Sequence, residues 1–375
     1  MFPKNLQYLC QMKSNWRQTL LCCCMFVYFS SLYLLKDHLI PGNPILKHKP
    51  RAFSSPQNFT CTWSVVENRE ICKPVCNHGY FGLYGMKKCH PLLTCEDIEQ
   101  LKLEGNIGNS GYVKEVWHSY WQKFPVVVKK LRKFDWAGKI AGPGYLQGIN
   151  LMKNFYRPSV LLQLVGHCND TIVTEVHRLL DARDLEIRFK EYPLYNTLQT
   201  RMQLCVSYVD ILRTLHSGHD GKIYVQCDAN HIQKLAGQFL FTEDFRLVLS
   251  DVDSMETILV NGTNKRLIKC TVWGEVTGRF PAPEELWPYK GGYDASILPL
   301  YDEKIEIWKI PDMCLYFLGD DVSTRQLKRS LKDIHKQCKN RNPRKRPTAE
   351  QVYKTYLTIY KDTIKSNFSG FKETV

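Results

Sequence analysis

The chain has 375 residues, of which 44% are hydrophobic and 23% are charged. Both fractions are ordinary for a globular protein, and they exclude a chain without a folded core. The formal net charge is +14, with dense basic clusters near residue 50 and from residue 336. We interpret these clusters as a solvated face or a contact with an anionic membrane, rather than as a nucleic-acid site.

One uncharged apolar run, TLLCCCMFVYFSSLYLL, occupies residues 19–35. Its 17 residues are at the short end of what a bilayer span needs. Basic residues precede the run, and no small-residue cleavage site stands out after it. We therefore predict an uncleaved signal-anchor, a cytoplasmic tail at residues 1–18 and a lumenal chain beyond the anchor.

Cysteines are concentrated after this run. Of the 15 cysteines, 11 follow it, and five of these lie within 35 residues. Those five are Cys61, Cys72, Cys76, Cys89 and Cys95. Their density is typical of an oxidising compartment, and their spacing lacks the paired C-x-x-C of a zinc site.

Sequons for N-glycosylation lie at Asn58, Asn169, Asn261 and Asn367. The cysteines and sequons agree with a lumenal chain, and we predict that residues 36–74 form a stalk.

A Gly/Asn/Ser turn lies between strand-like runs in GNIGNSGYVKEVWHSYWQKFPVVVKKL, which begins at Gly105. Such a turn lets backbone amides approach phosphate oxygens, so Gly108 and Gly111 are candidate nucleotide-binding residues. Two lysines are candidates for the side chain that reaches the phosphates of ATP. Lys114 follows the turn and Lys129 closes the second strand, and these patterns leave the choice open.

The helix predicted from Gly144 onward contains no acidic residue in GYLQGINLMKNF. In a protein kinase this helix carries a glutamate that pairs with the phosphate-binding lysine, and Gly148 falls at that place. We therefore expect either that another residue orients the lysine or that ATP binding is weakened.

Two aspartates follow apolar runs in IYVQCDANHIQKLAGQFLFTEDFRLVLSDVDS, residues 223–254. Asp228 stands where a kinase has the base for the attacking hydroxyl, although the motif reads Gln-Cys-Asp instead of His-Arg-Asp. Asp251 stands where a kinase has the metal-binding aspartate, although the motif reads Asp-Val-Asp instead of Asp-Phe-Gly. These motifs predict phosphoryl transfer from ATP with Mg²⁺.

Two amides accompany the aspartates. Counting back along the hairpin from Asp251 gives Gln238, where a kinase has an asparagine that binds the second metal ion. Because glutamine keeps the amide oxygen, we predict Gln238 as a metal ligand beside Asp251. Asn230 lies two residues after Asp228 and is a candidate for contact with the transferred phosphate or the acceptor. The loop from Asp228 to Gln238 is longer than in protein kinases.

Later segments follow the kinase pattern more closely. APEE at residues 282–285 matches the end of an activation segment, and RKRPTAEQV begins at Arg344. In that fold Glu284 and Arg346 form an ion pair. The ordered motifs predict an α+β, bilobal protein-kinase-like fold, with a small β-rich lobe and a large helical lobe.

These motifs, together with CNHGYFGLYGMKKCHPLLTCEDI, APEELWP, YDEKIEIWKIP and DIHKQCKNRNPRKRPTAEQV, resemble the protein O-mannose kinase family. The resemblance covers roughly residues 75–361 and is strongest in the large lobe. We predict a kinase-like domain at residues 75–362 and a C-terminal tail at 363–375. The domain divides into a cysteine-rich lead-in at 75–100, a small lobe at 101–178 and a large lobe at 179–362.

The resemblance implies a type II membrane protein of the endoplasmic reticulum. Its activity would be transfer of the γ-phosphate of ATP to the 6-hydroxyl of an O-linked mannose. The acceptor would be a GalNAc-GlcNAc-mannose trisaccharide on α-dystroglycan, with no nucleic-acid partner. The resemblance favours Lys114 as the phosphate-binding lysine, while Lys129 leaves that assignment open. It carries over Asp228 as base and Asp251 and Gln238 as metal ligands.

Three expectations complete this interpretation. The expected disulfides are Cys76–Cys89, Cys95–Cys168 and Cys270–Cys338. The alternative function is a lumenal pseudokinase that binds a glycan or a partner without phosphoryl transfer. A protein-serine kinase is disfavoured by the predicted topology and by the catalytic loop.

Overall fold

The fold is that of a computed structural model, which describes residues 59–107, 113–132, 136–155, 159–218, 221–270 and 274–369. The described residues lie in one compact unit, Pro56–Val375. The predicted signal-anchor, the cytoplasmic tail and most of the stalk lie outside them. Within the described ranges, no helix has both the length and the apolar character that crossing a bilayer requires.

Strands dominate the first half of the described chain and helices the second. The strands are β1 (Phe59–Ser64), β2 (Arg69–Pro74), β3 (Tyr80–Phe81), β4 (His90–Pro91), β5 (Lys114–Trp121), β6 (Phe124–Leu131), β7 (Leu164–Cys168), β8 (Thr171–Glu175), β9 (Lys222–Gln226), β10 (Phe239–Phe241), β11 (Leu247–Leu249), β12 (Met255–Asn261) and β13 (Asn264–Lys265). The helices are α1 (Cys95–Glu99), α2 (Trp136–Asn154), α3 (Leu185–Glu191), α4 (Leu198–Leu215), α5 (Ile232–Ala236), α6 (Lys304–Leu318), α7 (Arg325–Ser330), α8 (Lys332–Cys338) and α9 (Ala349–Ser369).

A four-stranded antiparallel sheet in the order β5-β6-β8-β7 forms the centre of the β-rich part, residues 59–175. The cysteine-rich lead-in packs against this sheet. Its Phe81 and Leu93 share an apolar core with Val126 and Val173. Gly166 permits this close packing, because a Cβ at that position would lie 2.6 Å from Cβ of Leu93. The sheet is therefore covered before it meets the helical part.

The helical part, residues 182–369, is built around α4, which packs against α6 and α9. Thr197 caps the start of α4 by accepting a hydrogen bond from the Thr200 amide. Apolar residues at helical spacing, including Leu204, Tyr208 and Leu212, are buried along α4. The predicted division into a small β-rich part and a larger helical part is confirmed.

Five disulfides occur in the described residues. They are Cys61–Cys72, Cys76–Cys89, Cys95–Cys168, Cys205–Cys314 and Cys227–Cys270. Two of the three expected pairs, Cys76–Cys89 and Cys95–Cys168, are confirmed.

The expected pair Cys270–Cys338 is wrong, because Cys270 is bonded to Cys227. Both partners belong to the apolar cluster around β9 and β12, whereas Cys338 is a buried free thiol at the end of α8, a helix that packs on α6. Sequence separation gave no means of choosing between these partners.

The disulfide-closed hairpin β1–β2 lies within the predicted stalk, at residues 59–74. It makes several polar contacts where the β-rich part leads into the helical part. Lys73 Nζ donates to Glu175 Oε2 at 2.5 Å, and Ser64 Oγ donates to Glu243 Oε2 at 2.6 Å. Arg178 also donates to Glu243, at 2.8 Å. These contacts hold the hairpin against the end of β8 and against Glu243 of the helical part.

Candidate active site

The side chain of Lys114 connects the sheet with the Asp-Val-Asp motif. Lys114 is the first residue of β5, and its ammonium donates to Asp251 Oδ1 at 2.9 Å and to Asp253 Oδ2 at 2.7 Å. Its side chain is only 13% exposed. The structure thus brings together a predicted phosphate-binding lysine and the predicted metal-binding aspartate.

Lys129 has a different environment, although it lies on the adjacent strand, opposite Val116. Its Nζ donates to the backbone oxygen of Ser250 at 3.0 Å. Burial, followed by the nearby charge of Lys114, lowers the pKa of Lys129 to about 8. Lys129 is therefore adjacent to the carboxylate cluster without a direct carboxylate contact among the described residues.

Helix α2 approaches the Asp-Val-Asp motif through two glycines one helical turn apart. A Cβ at Gly148 would lie 2.8 Å from the carbonyl oxygen of Val252, and one at Gly144 would overlap the carbonyl oxygen of Asp253. A glutamate at position 148 has no room while the helix holds this position. The carboxylates that hold Lys114 come from Asp251 and Asp253 instead. The glycine at position 148 and the second aspartate of the Asp-Val-Asp motif therefore belong to one arrangement.

The charges of Lys114, Asp251 and Asp253 shift one another's pKa values. Burial alone would lower the pKa of Lys114, but the charges of Asp251 and Asp253 outweigh burial and raise it. Burial would raise the pKa of Asp251, but the charge of Lys114 outweighs that effect and lowers it. Burial and the charge of Asp251 raise the pKa of Asp253 to about 6. At neutral pH the cluster therefore holds one ammonium between two carboxylates.

Asp228 follows β9, where the backbone is held by the hydrogen bond from the Cys227 amide to the Ser254 oxygen and by the disulfide to Cys270. The Asp228 carboxylate forms an ion pair with Lys234. Burial raises the pKa of Asp228, and the charge of Lys234 opposes that rise. This carboxylate is partly buried and has a cationic partner, as a base for a hydroxyl acceptor requires.

The long loop after Asp228 explains how Lys234 reaches that carboxylate. The extra residues form the short helix α5, whose first turn is capped when His231 Nδ1 accepts a hydrogen bond from the Lys234 amide at 3.1 Å. Sequence reasoning missed Lys234. The available signal was the unusual loop length together with the helix-like segment IQKLA before Gly237.

Two glutamines join the loops that carry the aspartates. Gln226 Nε2 donates to the Asp251 backbone oxygen at 3.0 Å and lies 3.4 Å from Gln238 Oε1. Gln238 Nε2 in turn lies 3.5 Å from Asp228 Oδ2. The predicted metal ligand Gln238 is thus buried between Asp228 and the Gln226 amide, and its predicted role stays a prediction.

The remaining predicted residues divide into two groups. Asn230 lies two residues after Asp228, and its Oδ1 is buried without a hydrogen-bond partner among the described residues. Gly108 and Gly111 lie outside the described residues, so their predicted roles stay predictions. The predicted ion pair of Glu284 with Arg346 is present, and Arg346 also donates to the Lys304 backbone oxygen at 2.8 Å.

The assembled site contains three carboxylates, three lysines and several amides within a small, partly buried region. Such a set holds anionic phosphates with ammonium groups and offers a carboxylate to an attacking hydroxyl. Its geometry is suited to positioning and charge neutralisation rather than to a covalent intermediate, because no cysteine or serine of the site that the structure describes is paired with a base.

Comparison with known proteins gives the family. No protein-family model matches the chain. The chain is 37% identical over 314 residues to protein O-mannose kinase of Macaca fascicularis, which covers 80% of this chain and 83% of that protein. It is 36% identical over 302 residues to protein O-mannose kinase of Homo sapiens, with 77% and 81% covered. It is 35% identical over 291 residues to protein O-mannose kinase of Xenopus laevis, with 76% and 80% covered. With this identity over most of both chains, and with the lysine and aspartates in one site, the chain belongs to the protein O-mannose kinase family.

Proposed function

We propose that this chain is a phosphotransferase that moves the γ-phosphate of ATP to a hydroxyl of O-linked mannose. The observation that carries this proposal is the contact of Lys114 with Asp251 and Asp253, beside the loop that carries Asp228. The names of the relatives support mannose as the acceptor. A pseudokinase that only binds a glycan would not need a carboxylate base with its own lysine partner at this site.

In the proposed reaction the acceptor hydroxyl lies against Asp228 and attacks the γ-phosphorus in line. A new oxygen–phosphorus bond forms, the bond to the bridging oxygen of ADP breaks, and the hydroxyl proton passes to Asp228. Lys114 neutralises charge on the phosphates. Lys234 favours the ionised form of Asp228 against the effect of burial, because a neighbouring positive charge stabilises the carboxylate.

The oxygen-rich donor set fits a divalent cation such as Mg²⁺. Asp251 and Asp253 supply carboxylates, and the buried Asn230 Oδ1 has no partner among the described residues. No cluster of three or more His, Cys, Asp or Glu side chains suited to a metal occurs in the described part of the chain. Mg²⁺ usually takes only one or two carboxylates and completes its shell with phosphates and water, so this donor set is sufficient. When bound, the ion would neutralise phosphate charge.

The finer details of the proposal concern the acceptor and the location. We extend it to the 6-hydroxyl of mannose within a GalNAc-GlcNAc-mannose trisaccharide, on a secretory-pathway glycoprotein such as α-dystroglycan. We also propose a type II protein of the endoplasmic reticulum membrane, anchored at residues 19–35 behind a lumenal catalytic domain. Ten disulfide-bonded cysteines in the described residues support an oxidising compartment.

The test offers the full chain Mg²⁺, labelled ATP and two acceptors, the mannose trisaccharide and a mixed peptide library. An Asp228→Asn variant, which keeps the size of the side chain but removes the base, is the control. We expect label on the sugar that is lost in the control. Binding of the trisaccharide without transfer would favour the pseudokinase, and label on the peptides would favour a protein kinase.

A further inference from the structure

A cavity of about 750 Å³ lies in the helical part. Its walls come from the end of α4, the starts of α6 and α9, and the sheet β9-β12-β13. Its lining residues are Arg213, Thr214, His216, Ser217, Gly218 and Ile223, with Val260, Lys265, Glu303, Lys304, Ile307, Thr348, Ala349 and Glu350. None of them belongs to the candidate active site. The volume is within the usual range for pockets that bind small molecules.

Two buried acceptors in this wall have no hydrogen-bond partner among the described residues. They are Glu303 Oε2 and His216 Nδ1. The side chains of Glu303 and His216 are only 9% and 7% exposed. His216 Nε2 lies 2.7 Å from Glu306 Oε2. When His216 is neutral, its proton lies on Nε2 and donates to the Glu306 carboxylate, and Nδ1 keeps a lone pair.

Both acceptors need hydrogen-bond donors, because a buried acceptor without a partner lowers the stability of the fold. By contrast, the cations in the wall already have partners. Lys265 donates to Glu303 Oε1 at 2.5 Å, Lys304 donates to the backbone oxygens of Arg346 and Pro347, and Arg213 pairs with Asp210. The cavity therefore does not need an anion to balance its charge, and the three cations disfavour a cationic ligand.

We propose that this cavity binds a neutral sugar unit. Hydroxyl groups of the sugar donate to Glu303 Oε2 and His216 Nδ1. The apolar wall from Ile223, Val260 and Ile307 takes the C–H face of the ring. This site is independent of the proposed function, because it shares no residue with the candidate active site and involves no transfer step.

The position of His216 decides which variants test the proposal. The His216 imidazole contacts Glu306, whose Oε1 accepts a hydrogen bond from the backbone N–H of Gln226 at 3.2 Å. A change at His216 would therefore disturb the loop that carries Asp228. Glu303→Gln replaces one acceptor without changing the size of the side chain, and Val260→Phe places a larger apolar side chain in the cavity lining.

The experiment uses the full chain in detergent and measures binding by saturation-transfer NMR. The probes are methyl α-mannoside, N-acetylglucosamine and N-acetylgalactosamine, with inorganic phosphate as an anionic probe. We expect at least one sugar to bind. Its affinity should fall about tenfold or more in Glu303→Gln, which loses a buried polar contact, and in Val260→Phe, which fills the space for the ring. Lys130→Ala, at an exposed position of β6 outside the cavity and the candidate active site, should bind the same sugar as the unchanged chain does.

Three results would overturn the proposal. Equal sugar binding by the unchanged chain and by both cavity variants would place the sugar elsewhere. Binding of phosphate but no sugar would make the cavity an anion site. Absence of binding by every probe would mean that the two acceptors are satisfied by water alone. Because none of these readouts uses phosphoryl transfer, an inactive enzyme would still give a clear result.

Discussion

Lys114 Nζ and Asp253 Oδ2 lie 2.7 Å apart, although 139 residues separate them in the chain. This contact gives the phosphate-lysine candidate a partner that comes from the Asp-Val-Asp motif rather than from helix α2. The backbone of that motif is close enough to α2 to exclude a side chain at Gly148. The lysine is therefore placed by a different set of residues from those of a protein kinase.

The first prediction separates the two lysines. Lys114→Ala should lower kcat/KM for ATP on the order of 100-fold, because it removes a preorganised charge from the phosphates. Lys129→Ala should lower it less, since that ammonium contacts only the Ser250 backbone oxygen among the described residues. Initial-rate kinetics at varied ATP measure both effects. Lys130→Ala on the same strand, where the side chain is exposed, is the control, and a larger loss at Lys129 would reverse the assignment.

The second prediction concerns the glycines of α2. Gly148→Ala should lower the free energy of unfolding by about 1–3 kcal/mol, because its Cβ would meet the Val252 oxygen. Gly142→Ala is the matched control, since its Cβ would lie an ordinary 3.5 Å from Leu131. It should change that free energy little, because the gain in helix propensity is opposed by contact of the new Cβ with the ring of Pro143. Urea titrations measure both, and equal effects would show that α2 does not need its close approach.

The third prediction concerns Lys234 and the pH dependence of the proposed reaction. Asp228 must be ionised to act as a base, and the charge of Lys234 opposes the burial that raises its pKa. Lys234→Met removes that charge, so the pKa of Asp228 should rise and the acid limb of kcat/KM should move to higher pH. Lys234→Arg should restore the limb.

Profiles of kcat/KM against pH check this prediction. Lys222→Met, which changes an exposed lysine on β9, is the control. A lower rate for Lys234→Met with an unmoved acid limb would assign Lys234 a structural role in α5 and would remove it from the proposed mechanism.

The fourth prediction concerns the ion pair of Glu284 with Arg346. Arg346 is only 3% exposed and makes further hydrogen bonds to Asn340 and Lys304. Arg346→Met should lower the free energy of unfolding by about 3–5 kcal/mol, because it removes a buried guanidinium and leaves the partly buried Glu284 carboxylate and the Lys304 backbone oxygen without their partner. Exposed Arg344→Met should change it little. Chemical denaturation of the single variants and of the double variant with Glu284→Gln measures the coupling, and an additive result would contradict it.

Much of this site could be predicted from motifs whose residues lie near one another in the chain. Asp228 and Asp251 follow apolar strands, and Glu284 with Arg346 belongs to segments that keep the kinase pattern. The missing glutamate at Gly148 was also visible. Its reason was not, because it lies in the backbone of Val252, more than 100 residues away.

Other features could not be predicted from local patterns. Lys234 reaches Asp228 only because extra residues fold into α5, and the cap by His231 that fixes that helix has no strong sequence signature. The pairing of Cys227 with Cys270 is a choice among many that spacing does not decide. The hairpin at residues 59–74 has a sequence signal, two strand-like runs around a short turn, within the segment predicted as a stalk.

The pairing of the cysteines makes the order of synthesis matter. The bond Cys227–Cys270, whose partners are 43 positions apart, is nested inside Cys205–Cys314, whose partners are 109 positions apart. At roughly 5–20 residues per second, Cys205 waits roughly 5–20 seconds for its partner to leave the ribosome. During that interval Cys227 emerges first as a competing thiol. Any early bond between Cys205 and Cys227 must then be reversed by thiol exchange before the two nested pairs can form.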